Sequence, residues 1–290
     1  MSGRPAPIIV MTGATSGIGR LAATEMARRG AHLVLIARSE ANAEATRKAI
    51  GAIAPQARID IHFADLTRLE SVAAAGQSIA ARYDRIDVLI NNAGIHAFVP
   101  RTTIDGFDEM MAVNYLAPWL LTSALRETLI RSAPSRIVTT ASQASRHHGK
   151  IALTGNLFAP TQFSRLGSSR IYGRSKLLDI MFSLELARQL EGTGVTANCL
   201  DPGFNVTGLG RELSFGPMLE RILTRLKIGD PRRGADIIVR LAMDTEFGSV
   251  TGGYFSVKGG RTLKPAAPAD DLDTRQTLWA MTKDLLGAIS

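Results

Sequence analysis

The sequence predicts an α/β fold, a single doubly wound domain whose parallel sheet is covered by helices on both faces. Two observations carry that prediction. Short apolar runs of strand length alternate with helical periodicities along the 290 residues, as βα crossovers require. No linker rich in Pro, Gly or Ser, no repeat and no low-complexity tract divides them, so one domain follows rather than two. The composition agrees: 45% of residues are apolar and 21% charged, enough to build a core.

The elements follow in order. Ile8–Met11 reads as the first strand, and Ile18, Leu21, Ala22 and Met26 mark one face of the helix after it. His32–Ile36 is a second strand, followed by an Ala-rich helix over Ala41–Ile53. Ile59–Phe63 and the helix Leu69–Arg82 come next, then Val88–Ile90 and a long helix around Val113–Ile130. Ile137–Thr140 is the fifth strand, Tyr172–Leu190 its helix, and Val195–Leu200 the sixth strand. Two stretches break the rhythm. Residues 146–170 are too long for an ordinary βα loop, and 204–229 follow the sixth strand with Phe204, Leu209, Leu213, Phe215, Met218, Leu219, Ile222 and Leu223. Both follow carboxyl ends of strands, where open α/β sheets bind ligands, so the second is expected to form an apolar lid. After Lys264, Leu278, Met281 and Leu285 share a helical face with Trp279 and Leu286 beside it, and this tail is expected to dock on the body.

Several function classes drop out. No apolar run approaches the roughly 18 residues of a membrane span, and Met1 to Pro7 carries no secretory-signal core. The single cysteine, Cys199, excludes an internal disulfide framework and points to a reducing, cytoplasmic setting. The formal charge is +8. Its basic residues are scattered, with no aromatic interleaving to stack bases, so nucleic acid is not the expected partner. His147 and His148 lack a carboxylate or cysteine at ligand spacing, so no metal is expected.

The residues that carry chemistry begin in the first turn, Thr12-Gly13-Ala14-Thr15-Ser16-Gly17-Ile18-Gly19. Glycines there let the backbone turn tightly and approach a pyrophosphate, which rests on the helix N-terminus. Tyr172 and Lys176 are four residues apart on a helix and share a face. A free phenol has a pKa near 10, and a cation beside it is expected to lower that value, making the tyrosine a general acid or base. Ser142 can hold a substrate oxygen as charge develops on it. At the end of the second strand, the position where NAD-selecting folds place an acid is Ala37, and Arg38 follows. A guanidinium there fits a 2′-phosphate, so NADP(H) is expected over NAD(H), with Arg20 adding positive charge.

These motifs resemble the short-chain dehydrogenase/reductase family: TGxxxGxG at Thr12–Gly19, NNAG at Asn91-Asn92-Ala93-Gly94, Asp65-Leu66 after the third strand, YxxxK at Tyr172–Lys176 and Pro202-Gly203 after the sixth strand. The resemblance implies a Rossmann domain with strand order 3-2-1-4-5-6-7. It implies catalysis by Asn114, Ser142, Tyr172 and Lys176. Cofactor contacts would come from Gly13, Thr15, Ser16, Gly17, Ile18, Gly19, Arg38, Asp65, Leu66, Asn92, Ala93, Gly94, Tyr172, Lys176, Pro202, Gly203 and Thr207. Members are commonly dimers or tetramers through the helices carrying Asn114 and Tyr172.

The 30-residue separation of Ser142 and Tyr172, the segment 144–151 and the tail are similar to the branch of retinol dehydrogenases, WW-domain oxidoreductases and protochlorophyllide reductases. Leu178 stands where the last of these carry a cysteine, which argues against the photoreaction. Many retinol dehydrogenases have an N-terminal anchor that this sequence does not show, so the expected substrate is an apolar ketone, aldehyde or alcohol rather than a retinoid in particular. Ile95, His96, Phe98, Phe204, Leu209, Phe215 and Met218 would wall its pocket, with Arg101 and Arg211 near the rim. The competing reading is a protein of the same fold that binds NADP(H) without turnover.

Overall fold

In the computed structural model of the chain, residues 5–203 and 230–287 are described. Seven parallel strands form one sheet: β1 (Ile8–Thr12), β2 (His32–Ala37), β3 (Ile59–Phe63), β4 (Val88–Asn91), β5 (Ser135–Thr140), β6 (Val195–Asp201) and β7 (Tyr254–Ser256). Their order is β3-β2-β1-β4-β5-β6-β7, as the sequence predicts. The helices are α1 (Gly17–Arg28), α2 (Glu40–Ile53), α3 (Leu69–Arg82), α4 (Glu109–Met111), α5 (Ala117–Arg131), α6 (Ser168–Gln189), α7 (Pro231–Met243) and α8 (Leu272–Gly287).

Alternation along the strands divides the core in two. Ile9, Met11, Leu33, Leu35, Ile90 and Leu200 face α1, α2 and α7. Val10, Val34, Ile36, Leu89, Ile137 and Cys199 face the layer of α3, α5 and α6. Every residue of β2 and of β6 is buried; β2 accordingly reads as an apolar run after His32, whereas β6 also buries the polar Thr196, Asn198 and Asp201. Capping sets where several helices start. Ser39 accepts from Asn42 N ahead of α2, and the Asp108 carboxylate accepts from Met110 N and Met111 N ahead of α4. Asp230 accepts from Arg232 N beside Pro231 at the start of α7.

Three features depart from the sequence reading. The long helix expected around Val113–Ile130 is interrupted by a π-turn over Ala112–Leu116, where Asn114 lies. The long segment after β5 contains a 3-10 helix over Gln143–His147 and places Leu157 and Phe158 in the core. Phe158 stacks on Tyr115 at 5.6 Å. The tail docks through a different face. Leu278, Thr282 and Leu286 are the buried residues of α8, and Met281 and Leu285 sit at its edge. Thr282 belongs inward because its hydroxyl meets Tyr115 Oη at 2.7 Å, a match hidden by its polarity. Trp279 packs against Phe182 of α6 and Trp119 of α5. Among the described residues no helix is long and apolar enough to cross a membrane, and no three His, Cys, Asp or Glu side chains converge as metal ligands.

Candidate active site

The carboxyl ends of β1, β4, β5 and β6 meet where the strand order reverses, the crevice in which open α/β sheets take ligands. The turn after β1 has little freedom. Gly13 and Gly17 have φ of +69° and +53°, a region that L side chains enter at a cost. Gly19 has ordinary dihedrals but no room: a Cβ there would lie 2.0 Å from Gly13 O and 2.5 Å from Asn92 Nδ2. The first turn of α1 carries no acidic residue, so its free N–H groups offer an anion site. This cradle fits a dinucleotide pyrophosphate.

Asn92 braces the cradle from β4. Its Nδ2 donates to Gly13 O at 3.1 Å and to Thr12 O at 3.3 Å, and its Oδ1 accepts from Thr140 Oγ1. Thr12 Oγ1 accepts in turn from the N–H groups of Asn92 and Ala93. The side chain of Asn92 therefore acts here on backbone, a role the motif alone does not distinguish from cofactor contact. Asp65 sits after β3, its Oδ1 accepting from both Thr67 N and Thr67 Oγ1, with Leu66 packed beside the core. Arg38 is exposed at the end of β2. Gly203 turns the chain after β6 with φ of +72°. Phe204, Thr207, Leu209, Arg211, Phe215, Met218 and the expected lid at 204–229 lie outside the described residues.

The catalytic candidates converge on α6. Tyr172 lies over Lys176, whose Nζ is 6.0 Å from the ring centre. Ser142 at the end of β5 caps the following 3-10 helix, its Oγ accepting from Ala144 N, and its hydroxyl favours the ionised form of Tyr172. Asn114 projects from the π-turn. It donates to Ile95 O and Ser175 Oγ, both at 2.9 Å, and accepts from Ile95 N at 2.8 Å. Ser175 Oγ in turn donates to Tyr172 O. Gly94 separates the two sides: a Cβ would stand 3.3 Å from Lys176 Nζ and 3.4 Å from Asn114 Oδ1. On the outer side the His96 ring stacks on Tyr172 at 4.7 Å and meets Phe98 at 4.6 Å, with Nε2 against Ser168 Oγ.

Electrostatics correct one expectation. Lysine does favour the phenolate of Tyr172, but burial outweighs it, and the nearby Asp179 adds to the rise, so the phenol is held above its ordinary value. Sequence reasoning passed over Asp179. It accepts from Lys176 Nζ at 2.9 Å and is 1% exposed. A Lys/Asp pair three apart on a helix reads as a surface ladder; only burial separates the two cases. Burial works against the Lys176 ammonium as well, but Asp179 and Tyr172 overcome it and the ammonium is held charged. Lys176 Nζ also donates to Thr140 O at 2.8 Å.

A cradle for a dinucleotide beside a Tyr–Lys pair with a buried lysine, and a serine, defines a nicotinamide-type oxidoreductase, and the comparisons agree. A family model for short chain dehydrogenases matches residues 7–154, and the chain belongs to that family, in its retinol dehydrogenase-like branch; it is an oxidoreductase of CH–OH and C=O groups. Retinol dehydrogenase 13 of Homo sapiens is 33% identical over 98% of this chain and 85% of its own length. Retinol dehydrogenase 14 of Mus musculus is 35% identical over 97% and 86%. Among solved structures, a chain from Beutenbergia cavernae described as an NAD(P) dependent gluconate 5-dehydrogenase, with NADP bound at low occupancy, is 29% identical. It matches with a TM-score of 0.69 over 88% of this chain and 96% of its own.

Proposed function

We propose that the protein is an NADP(H)-dependent oxidoreductase acting on a hydrophobic ketone or aldehyde, or the corresponding alcohol, with Tyr172 as general acid/base. The observation that carries this reading is the Tyr172–Lys176 pair set beside the glycine cradle, with Ser142 favouring ionisation of the Tyr172 hydroxyl. The bound nicotinamide supplies or accepts the hydride. In reduction, Ser142 and Tyr172 hold the substrate carbonyl oxygen, and the Tyr172 Oη–H donates its proton to that oxygen. A phenol held protonated by burial suits the acid role at neutral pH. Lys176, charged and fixed between Thr140 O and Asp179, stabilises the phenolate that this leaves. Asn114 keeps the Gly94–Ile95 backbone and Ser175 in register with Tyr172. His96 and Phe98 form an aromatic wall against Tyr172, which favours apolar substrate surface.

Arg38 supports NADP(H) over NAD(H), as does the NADP in the Beutenbergia cavernae relative. Arg38→Ala should raise the KM for NADPH by about ten- to a hundredfold, the worth of a charge-assisted hydrogen bond of about 1.5–3 kcal/mol, and leave NADH nearly unchanged. Equal effects on the two would remove the assignment. The general test is to screen apolar ketones and aldehydes for NADPH oxidation. Tyr172→Phe should lower kcat by at least about 10²-fold while binding NADPH nearly as well; full activity in that variant would defeat the mechanism, and NADPH binding with no turnover on any carbonyl would favour the non-catalytic reading.

Two expectations are not carried into this proposal. Assembly through the helices of Asn114 and Tyr172 is set aside, because α8 lies on the outer side of α5 and α6 at Trp119 and Phe182. The cytoplasmic location is withdrawn, because relatives named for retinol, an apolar alcohol that partitions into lipid, suit a membrane surface equally well.

A further inference from the structure

Asp179 lies about two turns along α6 from Tyr172, on the helical face that also carries Lys176. It is 1% exposed, and its Oδ2 takes the Lys176 ammonium at 2.9 Å. Its other oxygen, Oδ1, is buried and accepts no hydrogen bond among the described residues. Its neighbours in the chain, Leu177, Leu178, Ile180 and Met181, are none more than 1% exposed. Removing a carboxylate from water is costly and a single ion pair offsets that only in part. A chain seeking stability alone gains little from an aspartate here. The cation it holds is the one beneath Tyr172.

We propose that Asp179 is a positioning residue for the hydride-transfer reaction: it anchors the Lys176 ammonium opposite Thr140 O and fixes how much of that positive charge Tyr172 feels. The site is then a three-residue array, Tyr172–Lys176–Asp179, and not a tyrosine–lysine pair. The inference rests on the oxidoreductase reading above for its reaction and on geometry for its array. The lysine has two anchors, a neutral carbonyl and a carboxylate, and so cannot lean freely toward the phenol. Other groups facing Tyr172 are Asp201 at the end of β6, Ser142, and the stacked ring of His96. Those facing Asp179 are Lys176 and Tyr172 on its own helix, Tyr115 from the π-turn and Cys199 from β6.

The sign of the effect follows. A negative charge near a phenol opposes its ionisation, and Asp179 acts in that direction on Tyr172. Asp179→Asn keeps the shape and leaves an oxygen for Lys176 but removes the charge. In the variant Tyr172 should therefore ionise at lower pH by about one unit or more.

The test is a titration of the full-length protein carrying carbon-13 at tyrosine Cζ, with the Tyr172 signal identified by its loss in Tyr172→Phe. Burial raises the other tyrosines Tyr83, Tyr115 and Tyr254 as well, so the reading rests on the signal that Tyr172→Phe removes. In Asp179→Asn the Tyr172 signal should titrate at lower pH, and the acid limb of kcat/KM for alcohol oxidation should move with it. A side chain that only supports the fold would lower the melting temperature and leave both unmoved; an unmoved Tyr172 titration overturns the proposal. The wild type offers a second test that does not depend on the variant folding. Burial raises the Asp179 carboxyl to about 6, so the Tyr172 Cζ signal should show a second, smaller step in that range, coincident with titration of the Asp179 carboxyl carbon. A flat Tyr172 signal through that step also overturns the proposal. If Tyr172 shifts as expected while the wild type turns over no alcohol or carbonyl, the array stands and the oxidoreductase reading fails.

Discussion

Gly19→Ala isolates the packing of the cofactor cradle from its backbone conformation. Gly19 has no positive φ, so alanine incurs no dihedral penalty there, and a helix normally gains about 1 kcal/mol from that exchange. The steric term opposes it. The new Cβ would stand 2.0 Å from Gly13 O and 2.5 Å from Asn92 Nδ2, and Gly13 O would have to retreat by roughly 1.4 Å to reach ordinary contact. The obstacle is backbone and is hydrogen-bonded to Asn92, so it cannot rotate away as a side chain would. Overpacking of this kind costs about 1–3 kcal/mol, and the upper end applies, leaving a net loss of about 2 kcal/mol. At this size that lowers the melting temperature by about 3–4 °C. The displaced turn should also weaken NADPH binding, read by fluorescence titration. Gly51→Ala is the control: a Cβ at Gly51 in α2 meets nothing within 4 Å, and that variant should gain about 0.5–1 kcal/mol. A Gly19→Ala protein that melts and binds NADPH like the wild type would refute the cradle as described.

Two further perturbations reach other parts of the molecule. Thr282→Val strips the buried Tyr115 hydroxyl of its partner and should cost about 1–3 kcal/mol in urea unfolding; adding Tyr115→Phe should recover most of it, and strictly additive losses would show that the pair is uncoupled. His62 is held below the 6.5 of a free imidazole by burial first and Arg82 second. On acidification the unfolded chain therefore takes up this proton before the folded one, and stability should fall as the pH drops through 6.5. His62→Gln should flatten that slope in urea midpoints, and an unchanged slope would place its origin elsewhere.

What could be read from the sequence, and what could not, divides along physical lines. β2 was legible because a parallel strand buried on both faces favours an unbroken apolar run, here Leu33–Ala37. The glycine turn and the Tyr172–Lys176 spacing were legible because each requires particular residue types at fixed separation. The π-turn at Ala112–Leu116 was not, since one extra residue in a turn leaves the apolar pattern of Val113–Ile130 almost intact. Thr282 was missed because a polar residue was assigned outward, and its partner lies 167 positions away. Asp179 was missed for the converse reason. Its spacing from Lys176 is ordinary, and what makes the pair consequential is a burial that no local pattern encodes.

The docking of α8 bears on the order in which this molecule can be completed. The helix follows every strand in the chain, yet it supplies the partner of Tyr115, the neighbour of Asn114 in the π-turn, and packs Trp279 against Trp119 and Phe182. A ribosome releases the sheet and both catalytic helices first. During that interval two aromatic faces and a phenol hydroxyl are left to water or to a chaperone. A chain cut before Leu272 would hold that unfinished state permanently, with the nucleotide cradle built and the wall behind the catalytic helices still open.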